Sequence, residues 1–334
     1  MLTRTNAKRA AIRPVGRLFC SMALGAAILL GGPAAAGDFP VKPIVVVVPF
    51  SPGSATDLVA RAIAQGVSQQ TGQSVVVENR PGASAMIGAT YVARAAPDGY
   101  TVLVTTNTTH AANEHLYKQL PYDPVKDYAP IALLGKGAQV MMVNPDSPAR
   151  TVQEFLELAK HAQGKLTFGA GSDNPRIAGE LLQQMAGVEL LYVPYKGNPL
   201  AISDLLGGHI DTIISDITTG LPQIKSGRLR ALAVTSIKRD SLLPDVPTLD
   251  ESGLPGYEMG YWFAAYAPAG TPPRIVDRLN ALFVEASRMP AARQFYEATG
   301  TDSQTSTPAE LAAFQKSESR KWAEVIERAK IKPE

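Results

Sequence analysis

The stretch "VVVVPFSPGSATDLVARAI", residues 45–63, sets the plan of the chain. An apolar, β-branched run leads through a Pro/Gly turn into a segment whose apolar positions, from Leu58 to Val67, share one helical face. The turn contains no Lys or Arg. Strand, short loop and helix in this order are typical of α/β proteins, in which ligands bind beyond the carboxyl ends of parallel strands. The stretch therefore predicts a strand end that faces a ligand.

Strand-like and helix-like segments alternate along the rest of the chain. The predicted strands are Ile44–Pro49, Ser74–Glu78, Thr101–Thr105, Ile131–Leu134, Val140–Asn144, Lys165–Phe168, Leu190–Pro194, Thr212–Ser215, Leu229–Thr235 and Trp262–Ala267. After the first helix, the predicted helices are Thr151–Ala162, Pro175–Ala186, Leu200–Leu206, Pro272–Arg288 and a last one capped by Thr307. Most strands are continuous Val/Ile/Leu runs, as in strands buried on both faces. The predicted fold class is α/β, with parallel or mixed sheets and helices on both faces.

The first 36 residues have the pattern of a secretory signal. Met1–Arg17 contains five basic residues and no acidic one, Leu18–Leu30 is apolar, and the small-residue sequence "GGPAAAGD" follows. The apolar run is shorter than the roughly 20 residues that span a bilayer. We predict a signal peptide at 1–36, cleaved after Ala36, that directs the chain to the periplasm; the alternative is a retained N-terminal anchor.

Removal of this signal changes the charge and the cysteine content. The chain has 32 Lys and Arg and 30 Asp and Glu residues. Without the five basic residues of the signal, 27 remain against 30 acidic ones, so the formal net charge is −3. A slightly acidic chain gives no electrostatic basis for nucleic-acid binding. The single cysteine, Cys20, lies in the signal, which excludes disulfides and thiolate chemistry from the mature chain.

The length of the mature chain predicts two lobes, because roughly 300 residues exceed one comfortable core. We assign 37–138 to the first part of lobe 1, 139–258 to lobe 2, and 259–334 to a return to lobe 1 that includes the C-terminal helices. The chain then crosses between the lobes twice. This arrangement predicts a hinge made of two extended segments.

Small-residue loops follow several predicted strands. In Phe50–Asp57, Pro52 and Gly53 force a turn, and the small side chains let a ligand approach the amides of Gly53, Ser54 and Ala55. Helix N-termini attract anions through unpaired N–H groups and the helix dipole. Taken alone, this loop is better interpreted as an ordinary connection between a strand and a helix.

A second stretch repeats the same plan. "LTFGAGSDNPRIAGELL", residues 166–182, gives strand, small-residue loop and helix, with Pro175 expected at the first helical position. Further candidate loops are Val104–His110 and Ile214–Gly220. If the lobes face each other, these loops meet across one cleft. We therefore predict a small anion held by backbone amides, without a buried Arg.

Catalytic motifs are missing from the sequence. It has no Gly-x-Ser-x-Gly elbow, and "GAGSDN" lacks the third glycine of a dinucleotide fingerprint. His110 and His115 are spaced unlike a zinc protease motif, so a polar loop is favoured over a metal site. Asp57, Asp173 and Asp216 have no nucleophile to serve and are interpreted as helix caps or ligand contacts. We predict a protein that is not an enzyme and that has no cofactor and no metal.

The sequence resembles the Bug family, the extracytoplasmic solute receptors of tripartite tricarboxylate transporters, in eight blocks. The similar blocks are "FPVKPIVVVVPFSPGSATD" (39–57), "VVVENRPGASAMIGA" (75–89), "PDGYTVLV" (97–104), "LYKQLPYDPVKDYAPI" (116–131), "VPYKGNPLAISDLLGGHID" (193–211), "LRALAVTS" (229–236), "LPDVPTLDESGLPGYE" (243–258) and "APAGTPPRIVDRLN" (267–280). So many blocks in the same order make the resemblance specific. It implies a two-lobed periplasmic binding protein of type II, a Venus-flytrap fold, which closes on a carboxylated solute.

The resemblance also implies where the ligand binds. Two loops, Ser51–Asp57 and Ala170–Arg176, correspond to loops that hold one carboxylate through backbone amides and ordered waters. A third contact region falls on Ser215–Ile217, with Tyr195 nearby. With the neighbouring strand ends, the candidate ligand-binding residues are Phe50, Ser51, Gly53, Ser54, Ala55, Thr56, Asp57, Thr106, Asn107, Ala170, Gly171, Ser172, Asp173, Arg176, Tyr195, Ser215 and Asp216.

Two positions depart from the family pattern. Ser54 stands where the first loop usually has a second glycine, and Arg176 stands where the second loop usually ends in His. Arg176 is either an extra cation for a second carboxylate or a residue that solvates the first helical turn, and we favour the second interpretation.

The predicted function is a monomeric periplasmic receptor for a small mono- or dicarboxylate, aliphatic or aromatic. The resemblance implies that its partners are the membrane permease subunits of a tripartite tricarboxylate transporter. One alternative is a carboxylate-sensing receptor of a two-component signalling system. Another is an exported enzyme on the same scaffold.

Overall fold

The first strand and the first helix form as the residue pattern predicts. In the computed structural model, which describes residues 39–328 and 330–333, β1 (Ile44–Val48) leads into α1 (Ala55–Thr71). Ser54 caps α1, because its side chain accepts a hydrogen bond from the N–H of Asp57. Leu58 was predicted on the buried face but is 41% exposed, because the buried face passes through Thr56, Val59 and Ile63 and leaves Leu58 outside it. The predicted signal peptide, 1–36, lies outside the described residues.

The strand–helix alternation continues through the described chain. The other strands are β2 (Val75–Asn79), β3 (Thr101–Thr106), β4 (Tyr128–Val143), β5 (Thr167–Ala170), β6 (Leu191–Pro194), β7 (Thr212–Asp216), β8 (Arg230–Val234) and β9 (Gly260–Pro268). The other helices are α2 (Met86–Ala93), α3 (Asn113–Leu116), α4 (Val152–Ala162), α5 (Asp173–Ala186), α6 (Asn198–Leu206), α7 (Ile217–Lys225), α8 (Pro273–Ser287), α9 (Pro290–Thr299) and α10 (Pro308–Arg328), and a π-helical turn covers Thr108–Ala112.

These strands form one mixed sheet. Its order is β2-β1-β3-β9-β4-β7-β5-β6, with β8 paired to β4. β1 is parallel to β2 and β3, and β5 is parallel to β6 and β7, as predicted. β4 and β9 run antiparallel to their neighbours, which makes the sheet mixed rather than purely parallel. The α/β fold class is confirmed.

β4 corrects one prediction. Ile131–Leu134 and Val140–Asn144 were expected to be two strands, because Gly135, Lys136 and Gly137 interrupt the apolar run. The structure has one strand of 16 residues. The interruption is bridged by pairing with β9 and by two hydrogen bonds between the backbones of Lys136 and Asp302, at 3.0 and 2.7 Å. Partners distant in sequence thus extend the strand through glycines that would otherwise weaken it.

Two local predictions were also wrong. α5 begins at Asp173, so Pro175 occupies the third helical position and not the first. The segment around His110 is a buried π-helical turn rather than a polar loop. The His110 ring stacks on Tyr266 with 3.9 Å between ring centroids, and burial lowers the pKa of the imidazole to about 3. The segment is therefore buried by aromatic packing against Tyr266 of β9, although most of its side chains are polar.

Apolar side chains pack on both faces of the sheet. One cluster joins β1 and β3 to α1 and α8, and another joins β9 to α10 through Trp262 and Trp322. A third lies beneath α6 and α7. The chain leaves the part that contains β1–β3 along β4 and returns at β9. The lobe boundaries at 37–138, 139–258 and 259–334 stay predictions.

Candidate functional site

The loop between β1 and α1 uses part of its own donors. The Ser54 N–H donates to the Ser51 carbonyl at 3.2 Å, and the Gly53 N–H donates to the Asp57 carboxylate at 2.9 Å. Gly53 has a φ of +79°, which favours glycine. The Gly53 and Ser54 amides thus make hydrogen bonds within the loop, and their contact with a ligand stays a prediction. Ala55 and Thr56 hold the first two positions of α1, where N–H groups have no partner within the helix.

Asp57, in the first turn of α1, holds this loop through its carboxylate. Its side chain is buried, and its carboxylate accepts hydrogen bonds from Gly53, from Arg61 Nε at 3.0 Å and from Asn79 Nδ2 at 2.9 Å. Burial alone would raise the pKa of Asp57, but the hydrogen bonds from Arg61, Gly53 and Asn79 outweigh it and lower the pKa. Asp57 therefore stays ionised and holds the loop and does not present a free carboxylate.

The second loop leaves no room for a side chain at its glycine. The Gly171 N–H donates to Asn198 Oδ1 at 3.1 Å. A Cβ at Gly171 would lie 2.1 Å from the backbone of Gly197 and of Asn198. Ser172 stands at the N-cap of α5 without a capping hydrogen bond from its side chain. The start of α5 is thus fixed by the neighbouring segment that opens α6.

The third region is tied to the second through the same asparagine. Asp216 caps α7 by accepting the Thr219 N–H at 2.9 Å. Its other carboxylate oxygen accepts a hydrogen bond from Asn198 Nδ2 at 2.9 Å. Asn198 therefore joins the loops before α5 and α7. It was not among the predicted site residues, although it stands directly after Gly197 and before Pro199, a composition typical of turns.

Tyr195 lies beside these loops, but its hydroxyl is already engaged. The backbone N–H of Tyr195 donates to the Ala170 carbonyl at 2.9 Å, and its hydroxyl donates to Asp204 Oδ2 at 2.7 Å. Burial, and then the hydrogen bond to Asp204, raises the pKa of Tyr195 to about 12. Tyr195 thus supports the second loop from the side of α6.

A buried group of amide side chains lies where β3, β4, α5 and β9 meet. Asn107 Nδ2 and Asn174 Nδ2 approach the Gly260 carbonyl at 3.5 and 3.4 Å. Gln139 Nε2 donates to Asn174 Oδ1 at 3.2 Å. Thr106 is buried beside Asn107 at the end of β3. Gln139 and Gly260 were not predicted, because only the strand order brings them to Asn174, which lies within the predicted loop Ala170–Arg176.

Three further predicted site residues, Phe50, Ser215 and Arg176, make contacts that differ from one to the next. Phe50 is half-buried, and its carbonyl accepts a hydrogen bond from Asn79 Nδ2 at 3.1 Å. Ser215 is fully buried at the end of β7. The Arg176 guanidinium lies 5.1 Å from the centroid of the Tyr192 ring.

Two cavities were not predicted, and Gly260, whose carbonyl meets Asn107 and Asn174, lines the first of them. One, of about 570 Å³, is lined by the middle of β4, the start of β9 and the α9–α10 connection. The other, of about 960 Å³, lies along α2. Neither is lined by a predicted site residue. Among residues 39–328 and 330–333, no three His, Cys, Asp or Glu side chains are placed to hold a metal ion, and no helix is long and apolar enough to cross a bilayer.

Solved structures with the same mixed sheet and the same strand-end loops before helix N-termini are solute-binding proteins of the periplasmic type. The structure of the periplasmic binding protein BugD matches with a TM-score of 0.80 at 35% identity, covering 89% of this chain and 100% of that one. Rpa4515 of R. palustris with adipate matches with a TM-score of 0.83 at 33% identity, covering 89% and 100%. MatC from Rhodopseudomonas palustris with bound malate matches with a TM-score of 0.78 at 33% identity, covering 86% and 100%.

Sequence comparison leads to one family. The model of the tripartite tricarboxylate transporter family receptor, TctC, matches residues 59–331. Protein BugT of Bordetella pertussis is 34% identical over 300 residues, which cover 89% of this chain and 92% of BugT. The chain belongs to the TctC family of receptors. The resemblance to the Bug family and the predicted periplasmic binding fold are confirmed.

Proposed function

We propose that the chain is a periplasmic receptor that binds a small mono- or dicarboxylate at the N-termini of α1, α5 and α7. The observation that carries the proposal is the pair of hydrogen bonds made by Asn198 to Gly171 and to Asp216, which hold the starts of α5 and α7 together. Two structural relatives are described with carboxylates, adipate and malate. Both ligands are dicarboxylates of the predicted size class.

The proposed binding chemistry uses backbone donors. The first N–H groups of each helix have no partner within the helix, and in α1 these belong to Ala55 and Thr56. A helix N-terminus contributes about 0.3–1 kcal/mol toward an anion when exposed and up to about 2 when partly buried. Hydrogen bonds to a charged group contribute roughly 1.5–3 kcal/mol each. Two helix ends and a few such bonds reach the roughly 8 kcal/mol of a micromolar complex after binding costs.

The proposed partners are the membrane permease subunits of a tripartite tricarboxylate transporter. Family membership supports this assignment. The competing role is carboxylate sensing for a sensor kinase, with the same ligand and the same closure. Neighbouring genes for a small and a large membrane subunit would favour transport, whereas an adjacent sensor-kinase gene would favour signalling.

The proposed site can be tested by calorimetry with adipate and malate, after a thermal-shift screen of a carboxylate library. Asn198→Ala should weaken binding at least about tenfold, because both loops lose their shared partner. Asn280→Ala is the matched control, since Asn280 also makes two side-chain hydrogen bonds, to Ile131 and Ser306, away from these loops. If no carboxylate raises the melting temperature, or if the Asn198 variant binds like the wild type, the proposed site is wrong. Turnover of a bound carboxylate would instead indicate an enzyme.

A further inference from the structure

A groove on the outer surface of α2 is lined by no residue of the carboxylate loops. It is an open groove of about 960 Å³ between α2 and the segment that follows α3. Ile87 and Tyr91 contribute large apolar side chains to its lining. Arg80 and Arg94 are the charged residues that line it, and no acidic residue does. The groove thus combines apolar surface with positive charge alone.

The apolar side chains in the groove are unusually exposed. Ile87 is 53% exposed and Tyr91 is 42% exposed, and they lie one helical turn apart. The opposite face of α2, with Gly88, Ala89 and Val92, is buried. Adjacent large apolar side chains that stay in water mark a binding surface more often than scattered single ones do.

The two arginines differ in their engagement. Arg80 stacks over the Tyr91 ring at 3.7 Å from its centroid and pairs with Glu78 at 2.6 Å. Arg94, three residues after Tyr91, is exposed and forms no ion pair within the described part of the chain. An anionic group over this end of the groove would therefore gain a charge partner at Arg94 without breaking an existing pair.

The wall of the groove at the start of α2 has an enforced shape. Ala83, Ser84 and Ala85 have φ values of +47°, +47° and +68°, a run that non-glycine residues rarely adopt. The Ser84 hydroxyl lies 2.7 Å from the Tyr117 hydroxyl, and Asn113 Nδ2 donates to the Ser84 carbonyl at 2.9 Å. Because contacts from α3 hold this conformation, the wall is formed before any ligand arrives.

We propose that this groove is a second binding site, for a small amphipathic anion such as a medium-chain monocarboxylate. The apolar body would cover Ile87 and Tyr91, and the carboxylate would pair with Arg94. A small molecule fits better than a macromolecule, because the volume lies within the range of small-molecule pockets, about 300–1,000 Å³. The site does not depend on the carboxylate loops of the proposed receptor function.

Calorimetry with decanoate below its micelle concentration tests the groove. Ile87→Ser and Arg94→Gln should each weaken decanoate binding about tenfold or more. The matched controls are Leu200→Ser, a 54% exposed apolar residue on α6, and Arg293→Gln, an exposed arginine on α9, and both should bind like the wild type. Unchanged melting temperatures would show that all four variants fold.

Probe chemistry separates the possible sources of binding. Decanol, which has the apolar body without the charge, and acetate, which has the charge without the body, should both bind at least about tenfold more weakly than decanoate. Saturating adipate should leave decanoate binding unchanged, because the two sites are separate. The proposal fails if both groove variants bind decanoate like the wild type, if decanol matches decanoate, or if adipate competes. It also fails if the variants lose binding to phosphatidylglycerol vesicles but keep decanoate, since the surface would then face a membrane.

Discussion

At the scale of single residues, Asp57 and Asn198 order the candidate loops through their side chains. Asp57 engages the Gly53 amide from within α1, and Asn198 engages the Gly171 amide from the start of α6. Both side chains therefore use glycine amides that would otherwise be free to meet a ligand. The donors that remain are those of the first helical turns, as helix geometry requires.

Asp57 should make stability depend on acid pH. Its pKa is lowered in the folded chain relative to an ordinary value of 3.8, so its stabilising contribution is complete above about pH 4 and is lost as the pH falls through the folded pKa. We expect Asp57→Asn to lower the free energy of unfolding at pH 7, and the difference from the wild type to shrink below about pH 4. Urea unfolding at a series of pH values measures this, with the exposed Asp245→Asn as control. A difference that stays constant down to pH 2 would contradict the role of Asp57.

A glycine in the left-handed run before α2 should stabilise the fold. Ala83 is exposed at a φ of +47°, where an alanine costs roughly 1–2 kcal/mol and a glycine does not. Part of the gain is offset by the greater freedom of glycine in the unfolded chain, about 0.5–1 kcal/mol. We expect Ala83→Gly to raise the free energy of unfolding by up to about 1 kcal/mol, whereas Ala313→Gly on the exposed face of α10 lowers it by about 1. Equal losses in both variants would show that the run is unstrained.

At the scale of elements, the capping signal of α10 predicts its start correctly, whereas the start of α5 and the limits of β4 were predicted wrongly. The sequence "TPAE" predicts the start of α10, and Thr307 and Glu310 do exchange hydrogen bonds there, at 2.8 and 3.2 Å. The middle of β4 was not predicted as strand, because its glycines indicate an interruption. The segments that pair with it, β9 and Asp302, are remote in sequence. Capping acts within four residues, whereas a strand needs a neighbour.

The cap of α10 should contribute measurably to stability. Thr307→Ala removes the acceptor for the Glu310 N–H, and such losses cost about 1 kcal/mol. The nearby Thr305→Ala is the control, because Thr305 precedes the helix and does not cap it. Thermal or urea unfolding measures both. A Thr305 variant as destabilised as the Thr307 variant would show that the segment, and not the cap, is responsible.

At the scale of the whole molecule, β4 and β9 connect two groups of strands that carry different candidate loops. The loop before α1 follows β1, whereas the loops before α5 and α7 follow β5 and β7. A ligand held by both groups would restrain their relative motion, as in hinge closure around ligands. This expectation rests on the proposed function.

Ligand binding should make the molecule more compact. We expect small-angle scattering to give a smaller radius of gyration with saturating adipate than without it. Gly171→Ala is the informative variant, because its Cβ would lie 2.1 Å from the Gly197 and Asn198 backbone and would displace the second loop. This variant should stay expanded with adipate present. Calorimetry would first confirm that adipate saturates the wild type. If its scattering curves with and without adipate then superimpose, closure is ruled out.

The amino-acid sequence by itself determined the alternation of strands and helices, the capped start of α10, the family and the approximate position of the strand-end loops. These features depend on residue types within a few positions of one another, where period and capping act. Only the tertiary structure decided that β4 is continuous, that His110 is buried, and that Asn198 joins Gly171 to Asp216 across 27 and 18 residues of chain. Those contacts follow from the order of the strands, which no local pattern specifies.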